Sequence, residues 1–315
     1  MAVLVIVPYA AVAIFVAAVV IRWVRLARMP VHLRWELYPV AHEQNAAYGG
    51  SFFEHIDWWK VRPRESLWGE LKVMLPEILL LRGVRAHNRS LWMRSFPFHG
   101  GLYLLAGFIG LLVAGAVAEI SGVQVAADAS GLGSGLFVAT PIVGMAGLAL
   151  MGAGALGLLL RRIRNPALRT HSSAADFVNL MFFFAAAVLG LLAFALADGD
   201  ASALRGFMGA LVTFGPCPDV PWLIAAEIVV GSMVLAYIPL THMSHFFTKW
   251  FMYHDVRWND DVNRVGSKLE ARINRQLSYR VAWNAVHIQG GGKKTWVDVA
   301  TQDMSKDMSK DMSKP

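Results

Sequence analysis

Residues 96–118 read FPFHGGLYLLAGFIGLLVAGAVA. Crossing a bilayer takes about 20 apolar residues, and this run is long enough while holding no Asp, Glu, Lys or Arg. Its one histidine, His99, stands near the start. A histidine at membrane depth costs free energy and needs a partner that repays it. Four other runs have the same character: residues 1–21, about 132–160, 177–197 and 221–247. The last contains one acid, Glu227, and ends with His242 and His245. The fold class expected is therefore an all-α integral membrane protein with five transmembrane helices.

The composition agrees. Of the 315 residues, 56% are hydrophobic and 16% charged, against about 25% charged in soluble domains. Mean hydropathy is +0.46. A single cysteine, Cys217, excludes a disulfide framework, a four-thiolate iron–sulfur cluster and a CxxCH haem attachment within the chain. Neither a P-loop nor an HExxH motif is present, so nucleotide and zincin chemistry are not signalled. The net charge of +7 comes from basic residues that flank apolar runs. That is the pattern of a membrane protein and not of a nucleic-acid binder.

Charge also orients the chain. Arg22, Arg25, Arg28 and Arg34 follow the first run, and Arg161, Arg162, Arg164 and Arg169 follow the third. Residues 119–131 hold no base, and residues 198–220 hold only Arg205. Lys and Arg mark the cytoplasmic side, which places the N-terminus outside and the C-terminus in the cytosol. The first run has no basic region before it, so a retained helix is expected in place of a cleaved signal. Two long stretches then fall in the cytosol, residues 23–95 and the tail 251–315. Within the first, residues 71–81 contain Pro76 and Glu77, are too short to span, and read as an interfacial helix. In the tail, residues 261–283 are helix-compatible and Gly290, Gly291 and Gly292 break the pattern. The chain ends in a DMSK repeat over residues 303–314, expected to be a disordered or partner-ordered tail.

Ten histidines are present. His99 and His245 sit at the basic ends of antiparallel runs and so at a similar depth. Imidazole is a standard axial ligand of haem iron, and two such helices could hold a porphyrin between them. Histidines meeting lipid headgroups give the same spacing. His242, one turn from His245, fits a propionate or quinone hydrogen bond, or an interfacial role. Glu227 fits a quinone hydroxyl or proton relay, or a carboxyl near the outer interface. Glycines in runs two and three either bring the helices close or make room for a flat cofactor. Arg89, Arg94, Arg161 and Arg169 lie at the depth where propionates would need partners.

Phe98-His99-Gly100-Gly101, the basic connection Leu160-Arg161-Arg162-Ile163-Arg164-Asn165-Pro166-Ala167-Leu168-Arg169-Thr170, and Gly231, Pro239 and His245 in order resemble NarI, the cytochrome b subunit of respiratory nitrate reductase. Thr241-His242-Met243-Ser244-His245-Phe246-Phe247-Thr248-Lys249-Trp250 and Lys294-Thr295-Trp296 resemble the DsrM branch, the membrane cytochrome b of DsrMKJOP complexes of dissimilatory sulfur metabolism. The resemblance implies a haem-binding core over residues 96–250, following a first span over 1–22. It implies haem b on His99 and His245, and electron transfer between the quinone pool and a DsrK-like cytosolic iron–sulfur subunit of the heterodisulfide-reductase type. It also implies an inner-membrane location. NarI carries a second, outer haem, whose ligand positions here are Ile109 and Glu227. One bis-histidine haem is therefore expected. A second would need a histidine such as His171, His87, His55 or His42, or a non-histidine ligand. The alternatives are a haem-free membrane anchor of a redox complex and a transporter, the latter disfavoured by the lack of an internal repeat.

Overall fold

The computed structural model describes residues 2–30, 66–257, 264–285 and 288–302, with positions 46, 48, 54–57 and 60. His32, His42, His287, Trp58, Trp59 and the DMSK repeat lie outside the described residues. The chain divides into two compact units, Met1–Arg22 with Lys72–Phe246, and Trp23–Leu71 with Phe247–Pro315. Among the described residues the structure is helical, and five helices are long and apolar enough to cross a membrane.

In chain order the helices are α1 (Ala2–Ala27), α2 (Leu67–Leu80), α3 (Arg82–His87), α4 (Arg89–Ile120), α5 (Leu132–Arg164), α6 (Pro166–Thr170) and α7 (Ala174–Leu196). They continue as α8 (Ser202–Thr213), α9 (Trp222–Tyr237), α10 (His245–Phe251), α11 (Lys268–Leu277) and α12 (Trp296–Ala300). Two spans, α4 and α7, begin earlier than hydropathy suggests because polar caps lie upstream of their apolar runs. The Asn88 side chain accepts from Leu91 N–H and starts α4. Ser173 and Asp176 form a reciprocal capping box that starts α7, satisfying end donors that would otherwise go unpaired.

The first unit is organised around α4, α5 and α7. Glycine sets the α4–α5 spacing. A Cβ on Gly101 would lie 2.3 Å from the Met151 nitrogen, and one on Gly154 would lie 2.4 Å from the Phe98 nitrogen. Only backbones without side chains can approach so closely. These glycines therefore serve packing. Gly100 and Gly110, in contrast, have nothing within 4 Å of a Cβ. Around the contact, Phe98, Met151, Ala155, Phe183 and Ala187 form a buried cluster that extends to Ile224 on α9.

Two elements depart from the sequence reading. Residues 198–220 contain a helix, α8. The Asp198 carboxylate starts it by accepting from Ala203 N–H and Leu204 N–H, both at 3.0 Å. Arg205, read as a loop base, is buried at 4% exposure. Its Nε donates to Glu119 at 2.8 Å and its Nη2 to the Val125 carbonyl at 3.3 Å. The fifth run, expected to be continuous to residue 247, stops as α9 at Tyr237. It continues as two short 3-10 turns, Ile238–Leu240 and His242–Ser244, before α10.

Helix α1 buries only Ala11 along its apolar length. Within this unit it is fastened at separate points. The Tyr9 hydroxyl donates to the Leu211 carbonyl at 2.6 Å, and its ring stacks on Phe214 at 5.6 Å. Phe15 stacks on Phe246 at 6.3 Å. Arg22 binds the 3-10 turns.

In the second unit, Trp23 meets Phe251 edge-on at 4.7 Å. Ser267 caps α11, which occupies the middle of the stretch expected to be helical. Thr295 and Asp298 form a capping box for α12, and Arg280 pairs with Thr295 in an antiparallel bridge across the Gly290–Gly292 turn.

Gly101→Ala should cost about 1–3 kcal/mol, the usual range for overpacking, because the clashing atoms are backbone. Thermal unfolding in detergent should show a lowered midpoint for Gly101→Ala and a wild-type midpoint for Gly110→Ala.

Candidate functional site

The site is made by the break in the fifth span. Pro239 has no N–H to donate to the carbonyl four residues back. Spans α4 and α5 carry Pro97 and Pro141 without ending, but here α9 stops at Tyr237 and Pro239 lies in the 3-10 turn that follows. Thr241 takes an extended conformation, φ −107° and ψ −175°, and its hydroxyl accepts from Met243 N–H at 3.2 Å. His242 and His245 thus leave the line of α9, and His245 becomes the first residue of α10.

This brings His245 to His99. Their ring centres are 5.8 Å apart with planes at 69°. An imidazole nitrogen binds a transition-metal ion at about 2 Å, so two imidazoles facing one iron from opposite sides have ring centres roughly 6 Å apart. The backbone sets the tautomers. His99 Nδ1 lies 2.7 Å from the Ser95 carbonyl, and His245 Nδ1 lies 3.3 Å from the His242 carbonyl. A carbonyl only accepts, so Nδ1 carries the proton in both rings and Nε2 keeps its lone pair. Metal-ligating histidines are held in this way.

His242 has the opposite arrangement. The Tyr237 hydroxyl donates to Asn179 Oδ1, and Asn179 Nδ2 then points to His242 Nδ1 at 3.4 Å. Nδ1 accepts, so Nε2 carries the proton. Asn179, on α7, is 2% exposed, and a buried amide is expected to be hydrogen-bonded in this way.

A cavity of about 180 Å³ joins these groups, lined by His99, His242 and His245 together with Arg161, Arg162 and Asp176. Arg162 Nη1 donates to Ser172 Oγ at 2.6 Å and lies 3.6 Å from Asp176. The cavity is smaller than a porphyrin and is open on the side of His242 and His245, which are exposed. Among the described residues no three His, Cys, Asp or Glu side chains gather as ligands for a lone ion. A haem would need only two donors from the chain, and His99 and His245 are the candidate pair.

The other sequence candidates lie elsewhere. His171 caps the end of α6, is exposed, and does not line the cavity. His55 is exposed. His87 is exposed too, with Nδ1 2.9 Å from the Gly83 carbonyl. Of Arg89, Arg94, Arg161 and Arg169, only Arg161 lines the cavity, and Arg94 is bound to Ser90. Glu227 lies on α9, about three turns before Pro239. Its Oε1 is 3.2 Å from where a Gly190 Cβ would stand, and its buried Oε2 has no hydrogen-bond partner among the described residues. Ile109 is 48% exposed on α4, whereas Glu227 turns toward α7. The sequence reading missed Asn179, Asp176, Arg162 and Tyr237. An amide within the apolar run DFVNLMFFF, residues 176–184, was the available signal for Asn179.

Comparison with known proteins agrees with this architecture. The Hdr-like menaquinol oxidoreductase cytochrome b-like subunit of Archaeoglobus fulgidus is 28% identical over 270 residues, covering 76% of this chain and 75% of that protein. The profile of the nitrate reductase gamma subunit family matches residues 85–259. The matched stretch contains α4, α5, α7, α9 and the three histidines of the cavity, while α1 lies outside it. The chain is a multi-pass membrane protein and belongs to the nitrate reductase gamma subunit family.

Proposed function

We propose that the chain is the membrane cytochrome b subunit of a quinone-linked oxidoreductase complex, with one haem b held between His99 and His245. The observation that carries this reading is the pair of imidazoles 5.8 Å apart, each with Nδ1 on a backbone carbonyl. Haem b, when bound, supplies reversible one-electron storage. The chain's own residues do the rest. His99 and His245 would hold the haem iron. Arg161 and Arg162 offer guanidinium groups to carboxylates at the cavity. His242, fixed by Asn179 and Tyr237, offers an N–H to a quinone carbonyl or a propionate.

Quinone chemistry is supported by the name of the Archaeoglobus relative, a menaquinol oxidoreductase subunit. Glu227, a carboxyl inside a span with an unpartnered buried oxygen, is the group we assign to a quinol hydroxyl and its proton.

The same reading places the arginine-rich ends of the helices in the cytosol, the N-terminus outside and the chain in the inner membrane. The segments 23–95 and 251–315 then face a cytosolic partner. By the motifs around His242, His245 and Trp296, we take the complex to be of the DsrMKJOP type and the partner to be a DsrK-like iron–sulfur subunit. Nucleic acid has no part in it.

Haem assayed as the pyridine haemochrome on the detergent-purified complex should give one haem b per chain, with any c-type haem resolved separately. His99→Ala or His245→Ala should lose it and His171→Ala should keep it; loss on His171→Ala alone would contradict the ligand assignment. Glu227→Gln should keep haem b but slow oxidation of a menaquinol analogue by at least roughly tenfold, the lower end of proton-transfer effects. Unchanged turnover would remove Glu227 from the quinol step.

A further inference from the structure

We infer that Arg22 is a positioning residue for the haem ligand His245, acting through the broken part of the fifth span. The inference rests on the ligand assignment proposed above.

Where α9 stops, the carbonyls beyond it leave the continuous helical ladder; the Thr241 carbonyl accepts from Ser244 N–H at 3.3 Å. At the depth of a membrane-span end, a carbonyl short of donors is costly. Arg22, reaching from α1, supplies further donors. Nη2 donates to the Leu240 carbonyl at 2.9 Å, and Nη1 to the Thr241 carbonyl, also at 2.9 Å. Nη1 also donates to Ser244 Oγ, whose residue is 4% exposed. One planar guanidinium thus ties the two residues before His242 to Ser244, the residue immediately before His245. A lysine has a single ammonium nitrogen and cannot stand at both the Nη1 and Nη2 positions, so it does not reproduce this fork.

Charge pattern alone treats Arg22, Arg25 and Arg28 as equivalent cytoplasmic markers. The structure separates them: Arg25 and Arg28 are exposed, and Arg22 is turned inward. This also gives α1 a task. The helix lies outside the family match and buries little of itself, yet it delivers the group that holds the ligand-bearing turns. Removing outer partners of a metal-binding histidine typically costs about 10–100-fold in affinity.

The test uses the purified complex carrying Arg22→Gln, Arg22→Lys, Ser244→Ala or, as a control, Arg25→Gln. Arg22→Gln should release haem to apomyoglobin roughly tenfold faster than wild type and shift the haem midpoint potential. Arg22→Lys should not rescue either property, Ser244→Ala should show the same change to a smaller degree, and Arg25→Gln should match wild type. Wild-type release and potential in Arg22→Gln would overturn the inference. If Arg22→Gln fails to assemble, Ser244→Ala decides, and wild-type behaviour there overturns it. A wild-type complex without haem would instead refute the proposed function. The positioning claim would then be read in a Cys217→Ser, Met243→Cys background, where Arg22→Gln should raise the rate of thiol labelling and an unchanged rate would overturn it.

Discussion

The structure depends on the break in the fifth span. Other spans carry a proline without breaking, Pro97 in α4 and Pro141 in α5. In the fifth, α9 stops at Tyr237, and the chain turns through two short 3-10 segments around Pro239 before α10 begins at His245. An unbroken helix would keep His242 and His245 on the surface lines set by Glu227 and its neighbours. In the broken span His245 lies beside His99, and backbone carbonyls outside the helical ladder are taken up by other groups. The His242 carbonyl receives His245 Nδ1, and the Leu240 and Thr241 carbonyls receive Arg22.

Rigid helices fix the opposite half of the site. His99 lies on α4, whose backbone is pressed against α5 at Gly101 and Gly154. That contact leaves little freedom to slide or rotate, since movement would drive backbone into backbone. Asn179 on α7 adds a third point, a buried amide joined to Tyr237 and His242. The result is a division of labour among three histidines in one cavity. Two present Nε2 lone pairs and one presents an N–H, and the choice is made in each case by what Nδ1 meets. The same charge economy appears at the far end of the bundle, where Arg205 is buried against Glu119 and the Val125 carbonyl.

Much of this was legible in the sequence. The five apolar runs, the charge bias of their ends and the matched depth of His99 and His245 follow from spacing alone. Cap residues Asn88 and Ser173 extend the helices past their apolar limits, because capping depends on polar side chains that hydropathy discounts. Helix α8 was hidden because its start is set by Asp198, an acid that reads as a loop residue. Arg22 reads as a cytoplasmic-side marker and Arg205 as a base in a loop, since charge counting cannot tell a guanidinium that faces water from one that turns inward to buried carbonyls. Pro239 was visible, but the consequence of a proline in a span depends on which neighbours pair the freed groups, and these come from α1, more than two hundred residues away in the chain.

The central claim is that one iron is held between His99 and His245. It is tested most directly by low-temperature EPR together with near-infrared magnetic circular dichroism of the oxidised, purified complex. Two imidazoles with planes 69° apart predict a single low-spin ferric centre, highly anisotropic in EPR, with the charge-transfer band of bis-imidazole ligation. A high-spin centre, or a band of histidine–methionine ligation, would contradict the account.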